Sequence, residues 1–392
     1  MLRYHYAPAA FAVLLALLGL LGLRELSESV DVLWRPLLAI TSVMVTADAV
    51  NRLGVIDRVS SALFPRARAS CRRLFVIVFL LSGATAAVLN NDAAVLLLVP
   101  LVIALVRSLF PDQPNLVGPF ALAVFMAGGV APLAVSNPMN LIVAEYAGLD
   151  FNAYALRMVP VSLVGSALTL LVLLRLFRSE LATVPAVAPR PPARSSTAPE
   201  LQGLAVLLTA FAAYPVVAYT GGPVHLVAVA AALAAVALCA WHRVAGPWTV
   251  VRHGVAWEIL VFLAGVSIVA VGLQDVSVTR QLAGFYADTG VAGIGMVSAV
   301  GSALLNNHPM SIVNMLALEQ NTHLGLRPVL AALIGGNLGP RVIPWGSLAG
   351  LLWFSSLQRM GVQVAVRRFV WTGAVLTAVT LPISLLLLVV LP

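Results

Sequence analysis

The chain has 392 residues, 61% hydrophobic and only 10% charged, which excludes an ordinary soluble domain and points to a polytopic membrane protein. All 23 basic residues are arginine and the formal net charge is +8; in a chain this apolar the excess is a signal of membrane orientation and implies no nucleic-acid partner. Two cysteines, Cys71 and Cys239, exclude a disulfide framework and a multi-thiolate metal site, and the absence of lysine excludes a glycine–lysine phosphate loop, so neither metal nor cofactor is expected.

Apolar runs lie at residues 8–23, 37–50, 74–89, 93–106, 116–135 and 158–176. A second set lies at 201–219, 225–241, 257–273, 292–305, 310–318, 329–334 continuing through 348–354, and 369–391. The first run has no small-residue cleavage pattern after it and reads as a retained helix rather than a signal peptide. Residues 178–200 are rich in proline and lack apolar periodicity, as a flexible surface linker does. The expected architecture is an all-α polytopic membrane protein of about nine to eleven spans. It divides into a first transmembrane repeat at 1–177, a cytoplasmic linker at 178–200, a connecting span at 201–223 and a second, inverted repeat at 224–392.

Two polar motifs interrupt this pattern at matching places. Leu89-Asn90-Asn91-Asp92 returns as Leu305-Asn306-Asn307-His308, each inside a long apolar stretch. The flanking runs of about 14 to 16 residues reach about 21 to 24 Å at 1.5 Å per residue, against a hydrocarbon core of about 30 Å. A re-entrant helical hairpin with its polar tip inside the membrane accounts for both. Each hairpin is followed by a helix broken by small and polar residues. The first break holds Gly128-Gly129, Pro132 and Ser136-Asn137-Pro138-Met139-Asn140. The second holds Gly335-Gly336-Asn337-Leu338-Gly339-Pro340-Arg341 and Pro344-Trp345-Gly346-Ser347. Irregular backbone at membrane depth is tolerated only where it is buried in protein or lines a cavity, and paired broken helices mark a transporter's binding site.

Arginine placement orients the layout. With the amino terminus inside, only Arg24, Arg35, Arg157, Arg280 and Arg327 fall outside and Arg341 lies within the membrane; every other arginine is cytoplasmic. The two hairpins then open to opposite sides, and the carboxyl terminus lies outside.

The candidate substrate and ion site comprises Asn90, Asn91, Asp92, Ser136, Asn137, Asn140, Asn306, Asn307, His308, Asn337, Arg341 and Ser347, whose amides, hydroxyls and charges suit a small polar solute or a cation. Asp92 is the first candidate for proton coupling, since a desolvated carboxyl alternates between protonated and charged forms; the plainer alternative is a cap on the following helix. His308 is the second candidate, with an unperturbed pKa of about 6.5. Arg341 is costly at membrane depth and calls for a partner, with Asp92 the first choice. Asp48, Glu145 and Glu258 read as interfacial, and Cys239 is isolated in its span. No nucleophile–base pair or metal triad occurs at helical spacing, so an enzyme is not expected.

These motifs, with Val135-Ser136-Asn137-Pro138-Met139-Asn140-Leu141, Asn306-Asn307-His308-Pro309 and above all the block from Gly336 to Ala349, resemble the arsenite/antimonite permease (ArsB) family of the ion transporter superfamily. The similarity covers nearly the whole chain. It implies a multi-pass protein of the cytoplasmic (inner) membrane, with inverted repeats, a midplane site, and efflux of arsenite and antimonite in exchange for protons. Lipid bilayer, protons or sodium, and a small inorganic solute are the implied partners, with a cytoplasmic ATPase subunit and a second copy of the chain as further candidates. The chain departs from that family's pattern at Asn337 and within Ala127-Gly128-Gly129, where acidic residues are expected, and at His308, where an apolar one is. A sodium/proton antiporter or an anion or dicarboxylate permease of the same superfamily is the alternative, and a channel or scaffold subunit a third.

Overall fold

The computed structural model describes residues 23–55, 70–182, 197–223, 225–255, 277–321 and 325–390, with a few isolated positions beside them. Most of the runs expected at 8–23 and 257–273, the linker residues 183–196 and Glu258 lie outside the described residues. Fourteen helices of eight residues or more are described: α1 (Leu23–Arg52), α2 (Cys71–Val88), α3 (Asn91–Leu109), α4 (Val117–Ala127), α5 (Pro138–Tyr146), α6 (Phe151–Leu176), α7 (Ala198–Tyr219), α8 (His225–Trp241), α9 (Pro247–Gly254), α10 (Ser277–Leu305), α11 (Asn307–Glu319), α12 (Leu326–Leu338), α13 (Leu348–Arg359) and α14 (Val366–Val390). There is no strand among the described residues.

The two tips separate α2 from α3 and α10 from α11, and the two breaks separate α4 from α5 and α12 from α13. Length modifies the first of these readings. α2 has 18 residues and α3 has 19, because the basic start at Arg72-Arg73 and the polar end at Arg107-Ser108 are helical along with the apolar run. α2 is one of 5 described helices long and apolar enough to cross a membrane, the others being α6, α7, α14 and the stretch Thr279–Leu305 of α10. α11, with 13 residues, remains short at about 20 Å. α10 is itself two helical pieces, bent at Gly290 with φ 66°.

Local sequence explains the other boundaries. Asp150 caps α6 by accepting from the amides of Asn152 and Ala153 at 2.8 and 2.9 Å. α7 opens on a capping box, in which the Glu200 carboxylate accepts from the Thr197 amide at 3.1 Å. Within the span expected as a linker, residues 198–200 are helical and Leu181 is buried beside Phe177 in the core. Glu180 accepts from Arg368 at 2.7 Å, and that guanidinium lies 5.0 Å from the centre of the Phe177 ring. Burial pushes the Glu180 carboxyl up, but its own backbone amide, Ser179 and Arg368 outweigh this and hold it below the usual carboxylate range.

Each hairpin packs on the helix that comes after it, α2 and α3 on α4, and α10 and α11 on α12. Contacts between the halves are reciprocal. α13 packs on α3, α5 packs on α11, and α6 packs on α14. A second layer of α1, α7, α8 and α9 covers one flank, sealed by Val45, Ala49, Val50, Leu53, Ala235, Cys239 and Val250. On the other side the core centres on Trp353, fully buried between Phe125, Phe354 and Phe369, whose indole Nε1 donates to the Ala121 carbonyl at 2.7 Å.

Trp353 thus ties α13 to α4. Trp353→Ala is expected to cost about 3–5 kcal/mol, through a cavity and a lost hydrogen bond. Trp371→Ala, at a position 64% exposed on α14, should be close to neutral. Thermal unfolding of the two variants in detergent checks the contrast, and equal melting temperatures would contradict it.

Candidate functional site

The first asparagine of each tip builds the tip. Asn90 and Asn306 have φ 129° and 88° with extended ψ of 167° and 146°, a region that side chains rarely adopt and glycine enters freely. Each also caps the next helix. Asn90 Oδ1 accepts from the Ala93 amide at 2.8 Å, and Asn306 Oδ1 from the His308 amide at 3.2 Å. The tips then dock on the breaks. Asn91 Nδ2 donates to the Gly128 carbonyl at 2.9 Å, Asn306 Nδ2 to the Trp345 carbonyl at 3.0 Å, and the Ser136 hydroxyl to the Ala87 carbonyl at 2.8 Å.

A chain of side-chain bonds joins one break to the other. Asn137 Nδ2 donates to Asn337 Oδ1 at 2.9 Å, while Asn337 Nδ2 donates to Asn140 Oδ1 at 3.0 Å and to the Leu333 carbonyl at 2.8 Å. Asn140 Nδ2 donates to the Tyr154 phenol at 2.7 Å, and that phenol donates to the Ala131 carbonyl at 3.2 Å. Asn337 is thereby the clasp between residues far apart in the chain.

Between tips and breaks lies a cavity of about 30 Å³, room for a water-sized group or two. Asn91, Asp92, Asn137, Asn307, His308, Asn337, Arg341 and Ser347 line it, with Phe125, Gly128, Pro340 and Leu348 among the remaining walls. Eight of the twelve expected site residues are thus brought together. Asn90, Ser136, Asn140 and Asn306 are not on the wall; their groups are spent holding tips and breaks in place. α3 and α11 begin on the cavity, and Asn137 and Ser347, the caps of α5 and α13, line it. Four helix amino-termini therefore direct partial positive charge into one small space.

Arg341 is 4% exposed. The expected pairing with Asp92 does not form. The guanidinium instead donates to the Met126 carbonyl at 2.6 Å and to the Thr169 hydroxyl at 3.3 Å. Met126 lies in the last turn of α4, where unpaired carbonyls carry partial negative charge, so a helix end supplies what a carboxylate was expected to supply. The seat is tight. A methyl at Gly129 would fall on the guanidinium, and one at Gly373 on the Arg341 carbonyl. Asp92, 6% exposed, forms no ion pair or side-chain hydrogen bond among the described residues and lies on the cavity wall.

Thr169, Tyr154 and the Met126 carbonyl were not singled out from sequence. The signal available was polar groups within the apolar stretch of α6, but isolated hydroxyls there more often bond their own helix. Glu145 pairs with Arg35 at 3.0 Å and Asp48 with Arg52 at 2.5 Å, both away from the cavity. Cys239 packs α8 against α1. A groove of about 990 Å³ between α7 and α8 is far larger than the cavity, but its walls are apolar except for Gln202 and Thr209 and offer a polar solute almost nothing.

The profile of the ArsB family, described as arsenical pump membrane protein, matches residues 2–391. The chain belongs to this family. Among its relatives, the arsenical pump membrane protein of Escherichia coli (strain K12) is 30% identical over 393 residues, covering 95% of this chain and 90% of the relative. That of Yersinia enterocolitica is 28% identical over 403 residues, with 98% and 92% covered. The crystal structure of the Alcanivorax borkumensis YdaH transporter, described as having an unusual topology, matches with a TM-score of 0.62 at 16% identity, covering 93% of this chain and 86% of that one. The chain is accordingly a multi-pass membrane transporter of the ArsB family.

Asn337→Leu leaves Asn137 Nδ2 and Asn140 Oδ1 buried without their partner, at about 1–3 kcal/mol each. It should lower the melting temperature in detergent markedly. Asn306→Gly, which keeps positive φ accessible, should cost less than Asn306→Ala, and the reverse order would contradict the backbone role.

Proposed function

We propose that the protein exports trivalent arsenic and antimony hydroxides across the cytoplasmic membrane in exchange for protons, at the cavity between the hairpin tips. Membership of the arsenical pump membrane protein family supports the cargo. The observation that carries the mechanism is a carboxylate and a guanidinium on the wall of one small cavity without being paired to each other.

The proposed chemistry rests on what each group can donate or accept. Arg341, held by Met126 and Thr169, keeps a fixed positive charge and turns its remaining donors to solute oxygens. Asn91, Asn137, Asn307 and Asn337 with Ser347 add amide and hydroxyl contacts suited to a solute presenting hydroxyl groups. Ionised Asp92 accepts a hydrogen bond from a bound hydroxyl; protonated Asp92 loses that strong acceptor. Proton and solute then compete for one carboxylate, which is the requirement for exchange rather than co-transport. The cavity of about 30 Å³ is too narrow for entry of the solute without movement of a tip or break.

Two further elements belong to this reading. The halves at 1–177 and 224–392, joined by the 178–200 linker and the 201–223 span, act as inverted repeats; the exchange of α13 onto α3 and α5 onto α11 supports this, as do the matching asparagine caps. The amino terminus and linker are cytoplasmic and the carboxyl terminus outside, supported by the concentration of arginine in the segments assigned to the cytoplasm.

Everted membrane vesicles test the claim. Asp92→Asn should purify as a folded protein with a melting temperature near that of the unmodified chain, yet show no proton-driven arsenite uptake. Full proton-coupled uptake by that variant would end the assignment of Asp92.

A further inference from the structure

The second half contains a buried cluster of oxygen atoms that the cavity does not use. Ser298 and Ser302 on α10 and Ser311 on α11 are between 0% and 2% exposed. Their hydroxyls surround one point beside Gly336 on α12: a methyl built there would lie 3.2 Å from Ser311 Oγ and 3.7 Å from both Ser298 Oγ and Ser302 Oγ. Ser298 is occupied, donating to the Ala332 carbonyl and accepting from Asn314 at 2.8 Å. Among the described residues Ser302 Oγ and Ser311 Oγ have no hydrogen-bond partner, nor does Asn307 Oδ1 one helical turn from Ser311. Buried oxygens without partners are costly and call for something to satisfy them.

Charge selects what that is. Ser302 and Gly336 both lie in the last turns of their helices, α10 ending at Leu305 and α12 at Leu338. Two negative helix ends therefore meet at the cradle. All the ligands on offer are hard neutral oxygens, and no cluster of three or more His, Cys, Asp or Glu side chains exists among the described residues. A divalent ion would lack compensating charge, whereas a compact monovalent cation is matched by hydroxyl and amide oxygens alone.

We infer that Ser298, Ser302 and Ser311, grouped around Gly336, together with Asn307 one helical turn before Ser311, form a binding site for a sodium-sized monovalent cation. The site adjoins the solute cavity, whose wall includes Asn307, one helical turn before Ser311 and with its own Oδ1 without a partner. Cation occupancy fixes the Asn307 amide, and with it the second hairpin tip, so that filling one site changes affinity at the other by linkage. The inference holds whichever solute the cavity carries.

Thermal unfolding of the purified full-length chain in detergent, in sodium chloride against choline chloride at equal ionic strength, tests it. The expected result is a sodium-dependent, saturable rise in Tm of a few degrees, since a ligand bound only to the folded state stabilises it. Gly336→Ala, which places a methyl in the cradle and leaves every oxygen, should abolish the rise. The Ser302→Ala/Ser311→Ala double variant should do the same, and direct binding of radioactive sodium to it settles the case in which Gly336→Ala does not fold. Equal Tm in the two salts, or a sodium rise undiminished in the double variant, overturns the site. Transport does not enter the readout, so its failure and that of the export reading are separable.

Discussion

In hydrocarbon an amide or carbonyl without a partner costs several kcal/mol, and that constraint shapes the centre of this protein more than any apolar contact. Four helices stop and four begin in the middle of the bundle, each exposing backbone groups that no water outside the cavity can reach. The response is asparagine. Asn90 and Asn306 turn the chain and cap α3 and α11, Asn91 ties the first tip to the Gly128 carbonyl, and Asn337 clasps Asn137 and Asn140. An asparagine offers donor and acceptor without charge, which is the least costly way to mend a broken helix at membrane depth.

The same constraint explains Arg341. A buried guanidinium is tolerated only with acceptors at hand, and an ion pair was the obvious expectation. Instead the end of α4 and the Thr169 hydroxyl satisfy it, which leaves Asp92 uncommitted. Had the two paired, the cavity would contain a neutral, mutually satisfied couple with little left for a solute. Geometry that separates them keeps both available.

Much of this was legible in sequence, for a definite reason. Polar residues in apolar runs are so unfavourable that their positions alone located the tips and breaks, and eight of the twelve residues chosen that way line the cavity. What failed to show was direction. Asn90 and Asn91 are adjacent and chemically identical, yet one turns inward to cap its own helix and the other faces the cavity, a difference set by φ and not by composition. Thr169 escaped notice because a hydroxyl in an apolar helix ordinarily bonds its own backbone, and Thr169 does so at 2.7 Å while also accepting from Arg341. The length argument for the first hairpin weakened because Arg72, Arg73 and Arg107 are helical although polar.

The two hairpins sit in unlike surroundings. Around the first hairpin the core is a continuous apolar cluster from Cys71 to Phe125, and the hydroxyls of Ser82 and Thr85 fold back onto their own helix. Around the second, hydroxyls and amides from Tyr286 to Asn314 form an interior network. The tip bearing Asp92 thus rests on an apolar bed and the tip bearing His308 on a polar one. An acidic side chain on an apolar bed finds its polar surroundings in the cavity and its occupant. The tip on the polar bed answers to whatever fills that bed. Two hairpins can in this way respond to two different ligands, and the tips meet where those responses must be reconciled.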